Sequence, residues 1–346
     1  MKEQILVTLD GSSMAEGVLP HAKALARATN DSILLLRVVP PPVFMGVASG
    51  MLPSSQTVWE GWEREPEQAR AYIAGVARRL EAEGFEVHTQ VVEDDPTRAI
   101  IHYVDMHPNV TMIAMSTHGR SGFGRWLMGS VAEKVLHASP VPLLLVRPED
   151  EINGHSLKGT AEPMVHAPKP HGTLMVPLDG SPFAEQALHQ AVELASAWDS
   201  TLVLLSVMVG PEAMHVFDHG SGEQAPLWLE KAAQVEDARL NQYLFDIAQK
   251  LRAEGLRVKT KTNQGDPAGE ILRVAQEEDA GLIVMATHGR TGLERLWLGS
   301  VAMRVVQAAH VPVLLVRATE QTSKVLPEGE IKEHRDDVAL RRLVSI

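Results

Sequence analysis

The feature that most constrains this chain is that one set of landmarks occurs twice along its length. The matching landmarks are Thr-His-Gly-Arg at 117–120 and 287–290, Gly-Ser-Val at 129–131 and 299–301, and Asp-Gly-Ser at 10–12 and 179–181. Members of each pair lie 169 or 170 residues apart, as Gly119 and Gly289 do (289 − 119). This period far exceeds the roughly 20–50 residues of a solenoid repeat, so the pattern predicts two copies of one domain.

Composition supports two ordinary domains and excludes several function classes. The chain has 346 residues, 45% of them hydrophobic, which suits two cores at about 150 residues per domain. It has no cysteine, which excludes disulfides, thiolate catalysis and thiolate metal sites. The net charge of −12 and the absence of a basic run argue against a nucleic-acid partner. No apolar stretch approaches the roughly 20 residues of a membrane span, so we expect a cytoplasmic protein without a membrane partner.

Each copy alternates strand-like apolar runs with helical patterns. Strands are expected at 4–9, 32–39, 85–92, 110–115 and 141–146, and at 173–178, 201–207, 256–262, 281–286 and 312–317. Helices are expected at 13–28, 60–83, 95–107 and 129–138, and at 182–197, 228–254, 267–278 and 299–309. Such alternation predicts right-handed parallel βαβ units. The fold class is therefore α/β, with two tandem doubly wound domains, each on a five-stranded parallel sheet.

Composition shifts place the domain boundaries. We expect a first domain at 1–148, a linker rich in Gly, Pro and charge at 149–171, a second domain at 172–317 and a polar tail at 318–346. Within the tail, residues 331–344 have the pattern of a short amphipathic helix, and docking on the body and disorder are both left open. The apolar closing strands, 143–146 and 313–316, are sheet edges that need covering. They predict that the two copies pair there as an internal pseudo-dimer.

The segment after the fourth strand carries the main functional signal. Residues 116–124 hold three glycines, and Gly129-Ser130 opens the next helix. The unpaired N–H groups and the dipole of a helix N-terminus suit a phosphate, and Ser130 is placed to cap the helix. Ligands of doubly wound sheets bind beyond the carboxyl ends of the strands, where Asp10 also lies. Neither a P-loop nor a strand-linked G-x-G-x-x-G is present.

These motifs resemble the universal stress protein family. Its nucleotide-binding members carry Gly, two residues, Gly, nine residues, then Gly and Ser/Thr, and this chain has Ser116-x-x-Gly119 and Ala286-x-x-Gly289, each followed after nine residues by Gly-Ser. The Asp-Gly-Ser after the first strand and the closing Pro-Val-Pro-Leu-Leu-Leu-Val-Arg also resemble that family. The resemblance covers both copies and implies the strand order 3-2-1-4-5 in each. Ser116 and Ala286 depart from the pattern because each adds a Cβ where the family has glycine.

The resemblance implies an adenine nucleotide, ATP with or without Mg²⁺, in each crevice. Asp10 and Asp179 would lie by the ribose, and the backbone of Val38 and Val207 would meet adenine. The phosphates would be held by Gly119, Gly129, Ser130 and Val131, and by Gly289, Gly299, Ser300 and Val301. The remaining candidate positions are Met115, Ser116, Arg120, Pro177, Met285, Ala286 and Arg290. The second copy keeps more of the pattern, since it has Pro177 and Gly265 where the first has Thr8 and Asp94.

Several of these residues have plain structural alternatives. Asp10 and Asp179 could equally serve as turn or capping residues. Arg120 and Arg290 either reach phosphate or are solvated, and we expect His118 and His288 to shape a turn rather than to catalyse.

The favoured function is a regulator that binds ATP and hydrolyses little or none of it. We assign no catalytic or metal residue, because no general base, carboxylate pair or γ-phosphate lysine is evident. The alternatives are a stress scaffold acting through protein contacts without nucleotide, and a slow ATPase or adenylyl transferase. An unidentified protein partner and further homodimerisation are left open.

Overall fold

The computed structural model describes residues 2–42, 56–118, 128–147, 172–209, 227–287 and 299–317. The expected linker and the C-terminal tail lie outside these residues. So do four predicted site residues, namely Gly119, Arg120, Gly289 and Arg290.

The first copy contains five strands and five helices among its described residues. They are β1 (Gln4–Thr8), α1 (Ser13–Glu16), α2 (Leu19–Thr29), β2 (Ser32–Val39), α3 (Gln56–Ala82), β3 (Val87–Glu93), α4 (Pro96–Met106), β4 (Val110–Ser116), α5 (Ser130–Ala138) and β5 (Leu143–Val146). Residues of β2 are buried along its whole length, as expected for a parallel strand covered on both faces.

The second copy repeats this order with one helix fewer. Its elements are β6 (Thr173–Pro177), α6 (Pro182–Trp198), β7 (Thr201–Met208), α7 (Leu227–Ala253), β8 (Arg257–Gln264), α8 (Pro267–Glu277), β9 (Ala280–Ala286), α9 (Ser300–Ala308) and β10 (Val313–Val316). The predicted elements are present, with their ends displaced by a few residues.

All ten strands form one sheet in the order β3-β2-β1-β4-β5-β10-β9-β6-β7-β8. Pairing within each half is parallel, so each half has the predicted order 3-2-1-4-5. The halves join where β5 and β10 pair antiparallel, with Leu144 opposite Leu314. The predicted pairing of the closing strands is therefore confirmed within this chain.

Contacts beside the sheet strengthen this joint. Arg147 Nη1 donates to the carbonyl of Gln307 at 3.2 Å, and Arg317 Nη1 donates to that of Ser139 at 2.9 Å. Helix α2 packs against α6, where Trp198 Nε1 donates to the carbonyl of Ala24 at 3.3 Å. The buried side chains on this face of the sheet form one cluster that extends through both copies.

The first helix departs from the sequence prediction. A continuous helix was expected over 13–28, but α1 ends at Glu16 and α2 begins at Leu19. The break follows from Pro20, which has no N–H and clashes with the preceding turn inside a helix, and from the low helix propensity of Gly17. The second copy has neither residue at the matching positions, and α6 runs unbroken.

Candidate functional site

The turn after the first strand is built the same way in both copies. Gly11 and Gly180 have φ values of 84° and 80°, a left-handed conformation that glycine adopts readily. Asp10 Oδ1 accepts from the N–H of Ser12 at 2.9 Å and from its hydroxyl at 2.6 Å. Asp179 Oδ1 accepts from the N–H of Ser181 at 3.0 Å. Each carboxylate therefore stabilises its own turn, at the carboxyl end of β1 or β6.

The serines of these turns, and not the aspartates, cap the helices. Ser12 Oγ accepts from the N–H of Ala15, and Ser181 Oγ accepts from that of Ala184, each at 3.1 Å. Each aspartate lies two residues before the serine that caps the helix, and it is half-buried at the edge of the sheet. This position keeps each carboxylate next to the crevice where a ligand of a doubly wound sheet binds.

A hydrogen bond brings the start of the fourth-strand helix back to the end of the strand. Gly129 N–H donates to Thr117 O, and Gly299 N–H donates to Thr287 O, each at 2.8 Å. A Cβ added at Gly129 would lie 3.1 Å from Thr117 O, so the close approach of the two backbones favours glycine. The end of the strand and the start of the helix are thus joined by the same backbone hydrogen bond in both copies.

The helix N-termini differ from the sequence prediction. Ser130 was expected to cap α5, but Gly129 is the N-cap, no side chain accepts there, and Ser130 is the first helical residue. The backbone bond of Gly129 to Thr117 O accompanies this start, with Gly129 as the last residue before the helix. The same holds for Gly299 and Ser300. The helical ladder begins with Glu133 N–H donating to Gly129 O, so the N–H groups of residues 130–132 precede it, and such groups at a helix N-terminus suit an anion.

Residues at the end of β4 are mainly buried. Met115 and Met285 belong to the core under α4, α5, α8 and α9, and Val131 and Val301 pack against that core. Ser116 Oγ accepts from the N–H of His118 at 3.3 Å, and the hydroxyl of Thr117 lies 3.1 Å from His118 Nδ1. These contacts fit the turn-shaping role expected of His118. His288 lies outside the described residues.

The end of β2 carries a residue that the sequence analysis missed. Arg37 is only 5% exposed, and its Nη1 donates to the carbonyl of Val38 at 3.1 Å. The signal was an arginine inside the otherwise apolar run Ser-Ile-Leu-Leu-Leu-Arg-Val-Val. In the second copy Ser206 takes its place, fully buried, and donates to the carbonyl of Leu178 at 2.6 Å. Pro177 ends β6 opposite Leu205.

A tyrosine and a glutamate lie near Asp10 in the first copy. Tyr72 OH, from α3, donates to Glu16 Oε1 at 2.9 Å. Burial raises the pKa of Tyr72, and the charges of Glu16 and Asp10 raise it further, while Arg37 lowers it. Asp10, Glu16 and Arg37 are therefore close enough to one phenol to share one electrostatic environment.

The second copy has an arginine beside Gly180 of its Asp-Gly-Ser turn, but this arginine lies on a helix and not at the end of a strand. Arg239 on α7 holds Glu236 through both of its carboxylate oxygens, at 2.7 and 2.8 Å. Its guanidinium nitrogens lie 3.4 Å from where a Cβ of Gly180 would be. Burial and the Glu185 carboxylate raise the pKa of Tyr243, the counterpart of Tyr72.

No group of three or more His, Asp or Glu side chains in the described part of the chain is arranged to hold a metal ion. None of the helices there combines the length and apolar character that crossing a membrane requires.

Comparison with known proteins matches both halves to one family. The sequence model of the universal stress protein family matches residues 1–147 and 171–317. A universal stress protein of Mycolicibacterium smegmatis is 27% identical over 317 residues, covering 90% of this chain and 96% of its own. A solved universal stress protein from Archaeoglobus fulgidus has a TM-score of 0.63 at 23% identity, covering 91% of this chain and 98% of its own. Another, solved in complex with cAMP, covers 44% of this chain and 100% of its own, at 20% identity and a TM-score of 0.33. This chain therefore belongs to the universal stress protein family and carries the family's domain twice.

Proposed function

We propose that this protein binds adenine nucleotide, ATP with or without Mg²⁺, at the carboxyl edge of its sheet and acts in the cytoplasm as a stress-response regulator with little or no hydrolysis. The observation that carries the proposal is the uncapped start of α5, held against the end of β4 by the bond between Gly129 and Thr117. The N–H groups of the first helical turn and the helix dipole would favour an anion there. The same construction recurs at Gly299.

The other parts of the edge suit the rest of a nucleotide. Asp10 and Asp179 offer carboxylates at the ends of β1 and β6, where ribose hydroxyls would donate. The carbonyls of Val38 and Val207, at the ends of the neighbouring strands, would accept from a base amine. The floor of each site, between base and phosphates, would be formed by Met115 and Ser116 in the first copy and by Met285 and Ala286 in the second. The regulatory role would be exercised through a protein partner that recognises the loaded state.

The test is to denature freshly purified full-length protein and to identify and count the released nucleotide by chromatography and mass spectrometry. We expect one or two equivalents of ATP. Gly129→Val should remove the share of the first copy, because a Cβ there would lie 3.1 Å from Thr117 O. Gly299→Val should remove the share of the second copy, because Gly299 makes the matching bond to Thr287 O. Gly75→Val, on α3 with only the Arg78 side chain within 4 Å, is the matched control and should retain it.

The opposite result favours the protein-contact scaffold. No released nucleotide, together with no thermal shift on adding Mg-ATP, would exclude the ATP-binding proposal. In that case Ser116 and Ala286, which stand where the family pattern has glycine, mark crevices that no longer accept nucleotide.

A further inference from the structure

The two crevices differ at the strand carbonyl that faces them. Carbonyls along a β-strand alternate between its two neighbours. Leu36 O accepts from Leu9 N–H at 2.9 Å, so Val38 O, two residues later, points to the same side, just beyond the end of β1. In the second copy Leu205 O accepts from Leu178 N–H at 2.7 Å, and Val207 O takes the matching direction. Both carbonyls are thus placed to accept from a ligand in the crevice.

In the first copy this carbonyl already has a donor from the protein. Arg37 donates to Val38 O, and it shares its surroundings with Asp10 and Glu16. A buried guanidinium needs acceptors as well as negative charge, because an uncompensated buried cation is strongly destabilising. Its hydrogen bond to Val38 O is also charge-assisted, and such bonds are stronger than those between neutral groups. A ligand amine would therefore have to share the carbonyl oxygen of Val38 with this charge-assisted donor, or displace it.

In the second copy the corresponding residue cannot compete in this way. Ser206 has one hydroxyl proton, and it is donated to Leu178 O. Residue 206 therefore supplies no side-chain donor that competes with a ligand for the carbonyl of Val207.

A second difference lies at the end of the outer strand, next to β2 or β7. In the first copy Asp94 pairs with Arg98, whose Nε lies 3.0 Å from both carboxylate oxygens. The second copy has Gly265 and Gly269 at these positions. Gly265 has a φ of 147° and donates to Met208 O at 2.9 Å. The end of the outer strand thus carries a charged pair in the first copy where the second has two glycines.

We infer that the two crevices are unequal nucleotide sites, in which Arg37 competes with the ligand amine for Val38 O, so that adenine nucleotide loads into the second copy first. This inference rests on the proposed function. One hydrogen bond corresponds to about a fivefold to tenfold change in affinity. The second site should therefore bind ATP at least fivefold more tightly than the first.

The test compares ATP with inosine triphosphate, in which a keto oxygen replaces the 6-amino group. Calorimetry on full-length Gly129→Val and Gly299→Val proteins isolates the second and first sites, respectively. We expect the second site to prefer ATP over inosine triphosphate by about fivefold to tenfold, since only ATP has a 6-amino group to donate to Val207 O. The first site should show nearly equal affinities. This comparison needs no change at Arg37, so it does not depend on whether that variant folds.

Replacing Arg37 by the serine of the second copy sharpens the test. Arg37→Ser should tighten ATP binding at the first site by about fivefold to tenfold and give it a preference for ATP over inosine triphosphate. Arg78→Ser, on the exposed side of α3, is the control and should change neither. Equal affinity and equal discrimination at both sites would overturn the inference while leaving the proposed function intact. Failure of both sites to bind Mg-ATP would reject the proposed function and the inference with it.

Discussion

The two copies share one backbone but differ in the residues that face the crevice. They have the same strand order and the same glycine hydrogen bond between the fourth strand and the helix that follows it. Yet the first copy has a buried arginine at the end of β2, whereas the second has a serine at the end of β7. The comparison teaches that a duplicated hydrophobic pattern preserves architecture, because many positions contribute to it. The chemistry of a site depends on single positions, which can diverge without loss of the fold.

The copies also differ in how they respond to acid. His21 on α2 is 2% exposed, and burial lowers its pKa to about 4. Burial raises the pKa of Asp31 to about 6, although the hydrogen bond from Thr29 opposes the shift. The second copy has Gln190 and Ser200 at these positions, and neither titrates. Any pH dependence from this pair of positions therefore belongs to the first copy alone.

The largest effect is expected at the joint, where the copies should be equivalent. Leu144 and Leu314 face each other across β5 and β10 and are 1% and 0% exposed. Leu144→Ala and Leu314→Ala should each lower the free energy of unfolding by about 2–5 kcal/mol, since each leaves a cavity. The measurement is the urea dependence of circular dichroism, with the Leu→Met variants as controls expected to lose under about 1.5 kcal/mol. A large loss for one leucine and none for the other would show that the joint is not symmetric.

The next effect concerns His21→Gln, which installs the residue of the second copy. Between pH 6.5 and about 4 the unfolded chain binds a proton at His21 that the folded chain does not, so stability falls as the pH is lowered through this window. The loss amounts to about 3 kcal/mol at pH 4, and the variant should not show it. Unfolding midpoints from pH 4 to 8 measure this. A wild-type profile that the substitution leaves unchanged would contradict burial of a neutral His21.

Asp31→Ser should have the opposite effect and a smaller one. The folded pKa of Asp31 lies above the unfolded value of 3.8, so ionisation destabilises the fold above pH 6, and stability returns as the pH falls from 6 to 3.8. Because Asp31 is only half-buried, we expect about 1–2 kcal/mol. The serine variant should gain stability at pH 8 and show a steeper loss in acid, where His21 then acts without opposition. The same set of midpoints tests this, and a variant less stable than wild type at pH 8 would argue against it.

The smallest effect is expected for Arg317 and Arg147, whose side chains reach across the joint between the copies. Arg317 donates to Ser139 O at 2.9 Å in a half-buried setting, whereas Arg147 donates to Gln307 O at 3.2 Å in an exposed one. Arg317→Ala should therefore lower the free energy of unfolding by about 1 kcal/mol, and Arg147→Ala by less than about 0.5 kcal/mol. Thermal unfolding of both variants tests the order. Equal losses would mean that solvent weakens the two hydrogen bonds alike.

Most of the architecture could be predicted because it depends on patterns spread over many residues. The repeated landmarks predicted two domains, and the apolar closing strands predicted their pairing through Leu144 and Leu314. The break between α1 and α2 was missed, although Pro20 signalled it, because the surrounding apolar periodicity continues across it. The prediction that Ser130 caps the helix was wrong, because Gly129 is the cap residue and bonds to Thr117 O. The sequence pattern does not show that these two residues meet in the fold.

By itself, the sequence determined the duplication, the α/β class, the strand order through its family resemblance, and the presence of a turn aspartate and loop glycines in each copy. These follow from local propensity and hydrophobic period, which neighbouring residues reveal. Only the tertiary structure decided that Arg37 is buried and donates to Val38 O, that Asp10 and Tyr72 share its surroundings, and that Arg239 lies over Gly180. The physical reason is that the energy of a buried charge depends on the acceptors around it, and folding brings those together from distant parts of the chain.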